Sequence, residues 1–224
     1  MISYSDPALR KTIKNHKAAL IPVGSLEQHG PHLPVSTDSD IVTGIAERLA
    51  RKCDLLLFPT ITYGVSFEHA PFFNLSVTSR TLHVLLSELC SSLVSNGIRK
   101  IIILNGHHGN QKALEGIGAA GAQVYTFSYW RFMKTEFDHA GFAETSLMLA
   151  LSDKVQMKLA KKGFDPAKLS PAQRKAVSKL AQTQFIKATK SGVWGDPRGA
   201  TRAEGIRMIS EIVRNLAKTV SKLT

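Results

Sequence analysis

Cysteine is scarce in this 224-residue chain: Cys53 and Cys90 are the two present, and they form no CxxC pair. A disulfide framework and a thiolate metal site are both excluded, and the two thiols, set among apolar neighbours, read as buried groups in a reducing compartment. Long apolar runs are also missing. None approaches the roughly 20 residues that cross a bilayer, and residues 1–17 are polar and mixed in charge, without the apolar stretch of a secretory signal. The expectation is a cytoplasmic protein with no membrane partner. Acidic residues are few, 17 against 29 Lys and Arg, which leaves a net charge of +12. Much of the excess lies in residues 154–190, with ten basic residues and one acid, Asp165. No run of aromatics alternates with those lysines as a base-stacking platform requires, so nucleic acid is the least favoured partner. A solvated helical surface is the main reading of the segment, and attraction of an acidic substrate the sharper one.

No repeat or linker divides the chain, so residues 1–224 read as one α/β domain with the basic helical segment 154–190 inside it. The continuous apolar run 18–23 reads as a buried parallel strand in which Pro22 argues for a bulge or an early exit. Residues 54–58 give a short second strand closed by Pro59. Residues 100–105 are β-branched and apolar, hence central in the sheet, and 123–129 give a fourth strand. Apolar spacing predicts helices over 40–52, 79–96 (with Gly97 at its end), 111–119, 138–151 and 201–223, while Pro166 and Pro171 break the basic segment into short helices. Strands alternating with helices imply a three-layer α/β/α fold around a mainly parallel sheet of at least four strands.

The chemistry concentrates after strand ends. Residues 24–38 place Glu27, His29, His32 and Asp38 on a loop stiffened by two glycines and two prolines. The central strand runs into Asn105-Gly106-His107-His108-Gly109-Asn110, and Glu144 falls in or near the first turn of a later helix. Open α/β sheets put their ligands at strand carboxyl ends. Glu27, His29, Asp38, His107 and Glu144 are oxygen and nitrogen donors suited to zinc, manganese, iron or a similar divalent ion. Three carboxylates are better balanced by two such ions and a hydroxide than by one, so two divalent metal ions are expected, and with them hydrolysis. Glu144 thus belongs to the catalytic centre, and His139, five residues before it, is placed to protonate a departing nitrogen. His16 and His83 read as incidental, His69 beside Glu68 remains open, and His32 and His108 read as groups that orient ligands.

Taken in order, Pro22-Val23-Gly24-Ser25-Leu26-Glu27-Gln28-His29-Gly30-Pro31-His32-Leu33-Pro34 with Thr37-Asp38, then 105–110, then His139-Ala140-Gly141 with Glu144-Thr145-Ser146, resemble the creatininase (creatinine amidohydrolase) family. The resemblance implies a parallel-sheet α/β fold and a binuclear metal centre that hydrolyses unusual amide C–N bonds. It also implies metal ligation by Glu27, His29, Asp38 and His107, with Asp38 bridging, and His139 as the catalytic histidine. Relatives are commonly oligomeric, which implies a homo-oligomer. Two departures stand out. Gly109 occupies a position where creatininase has a glutamate ligand, so Glu144 would have to complete the second metal. Asn74-Leu75-Ser76 replaces the family's Pro-Gly-Thr, which argues against creatinine as substrate. The expected activity is cleavage of a C–N bond in a small linear or cyclic amide. The alternatives are a peptidase trimming a short modified peptide, a deformylase of a pyrimidine intermediate, and a metal-retaining binding protein without turnover.

Overall fold

The computed structural model describes residues 5–16 and 18–223. Four parallel strands form one sheet in the order β2-β1-β3-β4: β1 (Ala19–Val23), β2 (Leu56–Leu57), β3 (Lys100–Asn105) and β4 (Gln123–Ser128). Alternation along the two inner strands builds two cores. Leu20, Ile102 and Leu104 point to the face covered by α2 (Thr37–Cys53), α5 (Phe142–Leu151) and α8 (Arg202–Val220). Ala19, Ile21, Val23, Ile101 and Ile103 point to the other face, covered by α3 (Ser79–Ser95) and α4 (Gln111–Leu114). Both faces of β1 and β3 are therefore dry, which is why these strands read as unbroken apolar runs. The three-layer parallel fold is as the sequence predicts.

Several elements differ from expectation for local reasons. β1 shows no early exit at Pro22. The carbonyls of Ala18, Leu20 and Pro22 accept from the amides of Leu56, Phe58 and Ile61, so the nitrogen of Pro22 faces the β2 side where β2 has already ended. No ladder bond is lost there. Helix α1 (Asp6–Asn15), started by Pro7, was not foreseen in the polar N-terminal stretch. Helix α4 stops at Leu114 rather than 119 because Gly116 takes a left-handed φ of 68°. Pro166 opens a short 3₁₀ turn, and Pro171 opens α6 (Pro171–Ala181), where Ser170 and Gln173 form a capping box. The segment is thus divided into short helices as expected, each proline taking the first position of one. α7 (Phe185–Thr189) follows, and this segment has a small apolar cluster of its own, Ala181, Phe185 and Ala188 with Val177, Ile186 and Trp194.

Candidate metal centre

Two boundaries matter for chemistry. Helix α2 begins at Thr37, three residues earlier than the apolar spacing suggests, so Asp38 sits in its first turn rather than on the preceding loop. α5 begins at Phe142, which leaves His139 in an extended segment whose backbone pairs with Trp194. Asp138, not singled out in the sequence, caps α5 by accepting from the Ala143 and Glu144 amides at 2.9 and 3.3 Å. An acid just ahead of an apolar helix was a readable signal for this. Glu144 is thereby pointed inward from the first helical turn, and its Oε2 accepts from the Ala140 amide at 2.7 Å.

Asn105 and Asn110 join the loops. The Asn105 side chain accepts from the His107 amide at 3.1 Å, while Asn110 accepts from the Val65 amide and donates to the Gly24 carbonyl. A hydroxyl chain runs from Ser25 through Ser66 and Ser76 to Asn74, and Ser25 Oγ lies 3.5 Å from Glu27 Oε2. These bonds bring the long 60–77 loop against the end of β1.

The five residues proposed as ligands converge. His107 Nδ1 is 2.9 Å from Asp38 Oδ2, and its Nε2 is 3.2 Å from Glu27 Oε2. His29 Nε2 lies 3.3 Å from Asp38 Oδ1 and 3.5 Å from Glu144 Oε2. Asp38 thus faces both halves of the cluster. Glu27, Asp38 and Glu144 are 0, 2 and 1% exposed. Burying carboxylates costs several kcal/mol apiece unless a positive charge compensates. Yet Glu27 Oε1, His29 Nε2 and Asp38 Oδ2 are buried with no backbone, hydroxyl or amide partner among the described residues, and face histidine nitrogens and carboxylate oxygens instead. His29 Nδ1 lies 3.0 Å from the Glu27 carbonyl, to which it donates, so that His29 Nε2 is left bare toward Asp38 and Glu144. Ring nitrogens and carboxylate oxygens aimed at one another in a buried centre fit divalent cations. Among the described residues, the groups able to hold an ion are Glu27, Asp38 and His107; His29, His139 and Glu144; and Glu27, His69 and His139.

The electrostatics agree. Burial works against a charge on His29, yet Asp38 and Glu144 outweigh it and push the ring up to about 10. His107 also rises to about 10 against its burial, through Glu27 and Asp38. Burial, opposed by His29 and reinforced by Asp38, lifts Glu144 to about 8. Asp38 would be raised by burial, but His29 and His107 hold it well below the usual carboxylate range. In the protein alone, protons are drawn to where cations would sit. His139 behaves in the opposite way: burial, then His29 and His69, hold it neutral.

The remaining histidines take different places. His69 joins the centre, its Nε2 being 3.1 Å from Glu27 Oε1. His32 stands apart, its Nε2 2.9 Å from Thr145 Oγ1 beside Glu144, and so supports the start of α5. His108 makes no hydrogen bond to a candidate ligand among the described residues; it is exposed against Trp130, and His107 Nε2 lies 2.8 Å from the Val65 carbonyl. At Gly109 an added Cβ would meet the Val65 carbonyl, His107 Nε2 and Glu68 Oε1, so this loop has no room for a glutamate there. Over the cluster lies a cavity of about 310 Å³, walled by Phe137, Trp194, Phe185 and the Arg174, Ser178 and Gln182 face of α6.

Comparison with known proteins places the chain in a family and matches its fold. Residues 3–220 match the Creatininase family, described as creatinine amidohydrolase. A mycofactocin precursor peptide peptidase of Mycobacterium ulcerans is 35% identical, over 92% of this chain and 85% of its own length. Creatinine amidohydrolase of Pseudomonas putida is 30% identical over 59% of this chain and 63% of its own. A crystal structure of creatininase superposes with a TM-score of 0.82 at 24% identity, covering 98% of this chain and 95% of that one.

Proposed function

The chain belongs to the creatininase family of hydrolases acting on amide bonds, and from that premise we propose that it cleaves a C–N bond in a short peptide at a binuclear divalent metal centre. The observation that carries the reading is a set of buried carboxylate oxygens and histidine nitrogens, Glu27 Oε1, His29 Nε2 and Asp38 Oδ2 among them, that face one another under an open cavity with no backbone, hydroxyl or amide partner among the described residues. Glu27, Asp38 and His107 would hold one ion, and His29 and Glu144, with Asp38 facing both halves, would hold the other. Divalent ions at such donors lower the pKa of water to roughly 7 and polarise a carbonyl.

The chain's own groups do the rest. His139 stacks on His29 with ring centroids 4.3 Å apart, and its Nδ1 lies 3.7 Å from Glu27 Oε1. From there it would take the proton released by the attacking water, whose oxygen bonds to the carbonyl carbon, and pass that proton to the nitrogen as the C–N bond breaks. Burial keeps the ring neutral beforehand, so it is ready to accept. Phe185, with its ring 4.6 Å from both His69 and His139, covers them and keeps water out.

The peptide reading is supported by the peptidase relative, of which this chain spans 85%. A small cyclic amide is the second reading, supported by the likeness to creatinine amidohydrolase. Short peptides, formamides and cyclic ureides offered to the zinc- or manganese-loaded protein separate the two. Turnover of peptides alone is expected. Turnover of cyclic amides in their place selects the second reading, and hydrolysis of none of them, with the metal bound, points to a binding protein.

A further inference from the structure

Gln28 lies between two of the metal-binding candidates in sequence and has no role in the chemistry above. Its side chain is buried, at 8% exposure. Oε1 accepts from the Gly30 amide at 3.0 Å, and Nε2 lies 3.2 Å from the Gly192 carbonyl, 2.9 Å from His69 Nδ1 and 3.1 Å from His139 Nε2. The Gly30 amide can only donate and the Gly192 carbonyl can only accept, so two backbone groups of fixed polarity decide which way the carboxamide is turned. The fit is close: Gly192 has a φ of 75°, and a Cβ there would run into the Gln28 carboxamide.

A primary amide has two hydrogens to give. One goes to Gly192, which leaves one for two imidazoles. His139 Nε2 also lies 3.1 Å from the main-chain carbonyl of Gln28, which can only accept. One arrangement satisfies every one of these groups. His139 carries its proton on Nε2 and donates it to the Gln28 carbonyl. The remaining Gln28 hydrogen goes to a bare Nδ1 of His69. His69 then carries its proton on Nε2, facing Glu27 Oε1 at 3.1 Å.

We propose that Gln28 is a positioning residue that fixes where the protons sit on both rings, so that His69 donates to Glu27 while His139 presents a bare Nδ1 to the centre. The part played by His139 in turnover rests on the function proposed above; the proton positions do not. Gln28→Glu keeps the shape and removes the donor. His69 must then move its proton to Nδ1 to reach the carboxylate, and its Nε2 becomes an acceptor facing Glu27.

Long-range proton–nitrogen correlation spectra of zinc-loaded protein carrying ¹⁵N-histidine read this directly. The parent should show His69 and His139 protonated on Nε2. In Gln28→Glu, His69 should switch to the Nδ1-protonated form, while His83, held at the remote Ala113 carbonyl at 2.9 Å, reports an unchanged fold. Zinc content should be unaffected, and kcat should fall about 10- to 100-fold with KM moving less. A parent spectrum with His69 protonated on Nδ1 overturns the proposal even if no variant folds. So does a folded Gln28→Glu in which His69 does not switch. Correct proton positions without hydrolysis of any amide would instead count against the proposed function.

Discussion

Glu27, Asp38 and His107 stand at the ends of β1, α2 and β3, whose side chains fill the two main cores, whereas Phe185, Arg174 and Trp194 stand on a segment with a small apolar cluster of its own. The first set is held by cooperative packing and by Asn105, Asn110 and the Ser25 hydroxyl chain. The second lies over it as a wall. Local opening costs least where few apolar contacts are buried. The floor is therefore suited to holding ligands at fixed separations, and the wall to admitting and selecting a substrate. Substitutions in the floor should remove metal and turnover together, while substitutions in the wall should change KM and spare the metal.

The largest effect is expected at Asp38, which faces both halves of the centre. Asp38→Ala should lose both ions and lower turnover by about a thousandfold or more; a full metal complement with slow turnover would mean that this carboxylate bridges nothing. Next comes His139→Ala, which should cost roughly 10²- to 10⁴-fold in kcat and leave the metal content intact. Loss of metal in that variant would make His139 a ligand rather than a proton carrier. Gly109→Ala pushes a methyl group into the Val65 carbonyl and His107 Nε2. It should weaken metal binding about 10- to 100-fold, measured by competition with a chelating dye.

In the wall, Phe185→Ala should raise KM by about tenfold, in the range one apolar contact gives, without changing metal content. Should it lower metal occupancy instead, floor and wall are a single unit and the contrast fails. The smallest effect belongs to the lysines. Of the basic residues in 154–190, Arg174 alone lines the cavity among the described residues, while Lys158, Lys161, Lys162 and Lys175 are exposed. Replacing these four by glutamine should leave kcat/KM within about twofold even at low salt, where the screening length reaches about 30 Å, because none of them lines the cavity.

The same contrast governs what the sequence revealed. The floor was legible because strand ends, glycine-rich turns and donor residues coincide there, and strand 100–105 has the bounds its composition predicts. His69 was harder to place. Its position depends on bonds such as Gln28 N–H to Phe73 O, Leu75 N–H to Leu26 O and Val77 N–H to Gly64 O, which pair an irregular loop with distant residues and leave no periodic trace. The wall was legible only in part, as a basic segment offering attraction to an acidic substrate, for a related reason. The abundance of lysine suggests a solvated surface, and the face that meets the cavity, Arg174, Ser178 and Gln182, is a stripe of polar residues at four-residue spacing that looks no different from a surface stripe. Apolar periodicity finds cores, and a substrate wall is not one.

The central claim is that this floor binds two divalent ions, and counting them tests it most directly. Protein reconstituted with zinc or manganese, freed of excess metal and measured by plasma mass spectrometry should hold about two equivalents per chain. A plateau at about one equivalent or below would contradict the shared-carboxylate centre.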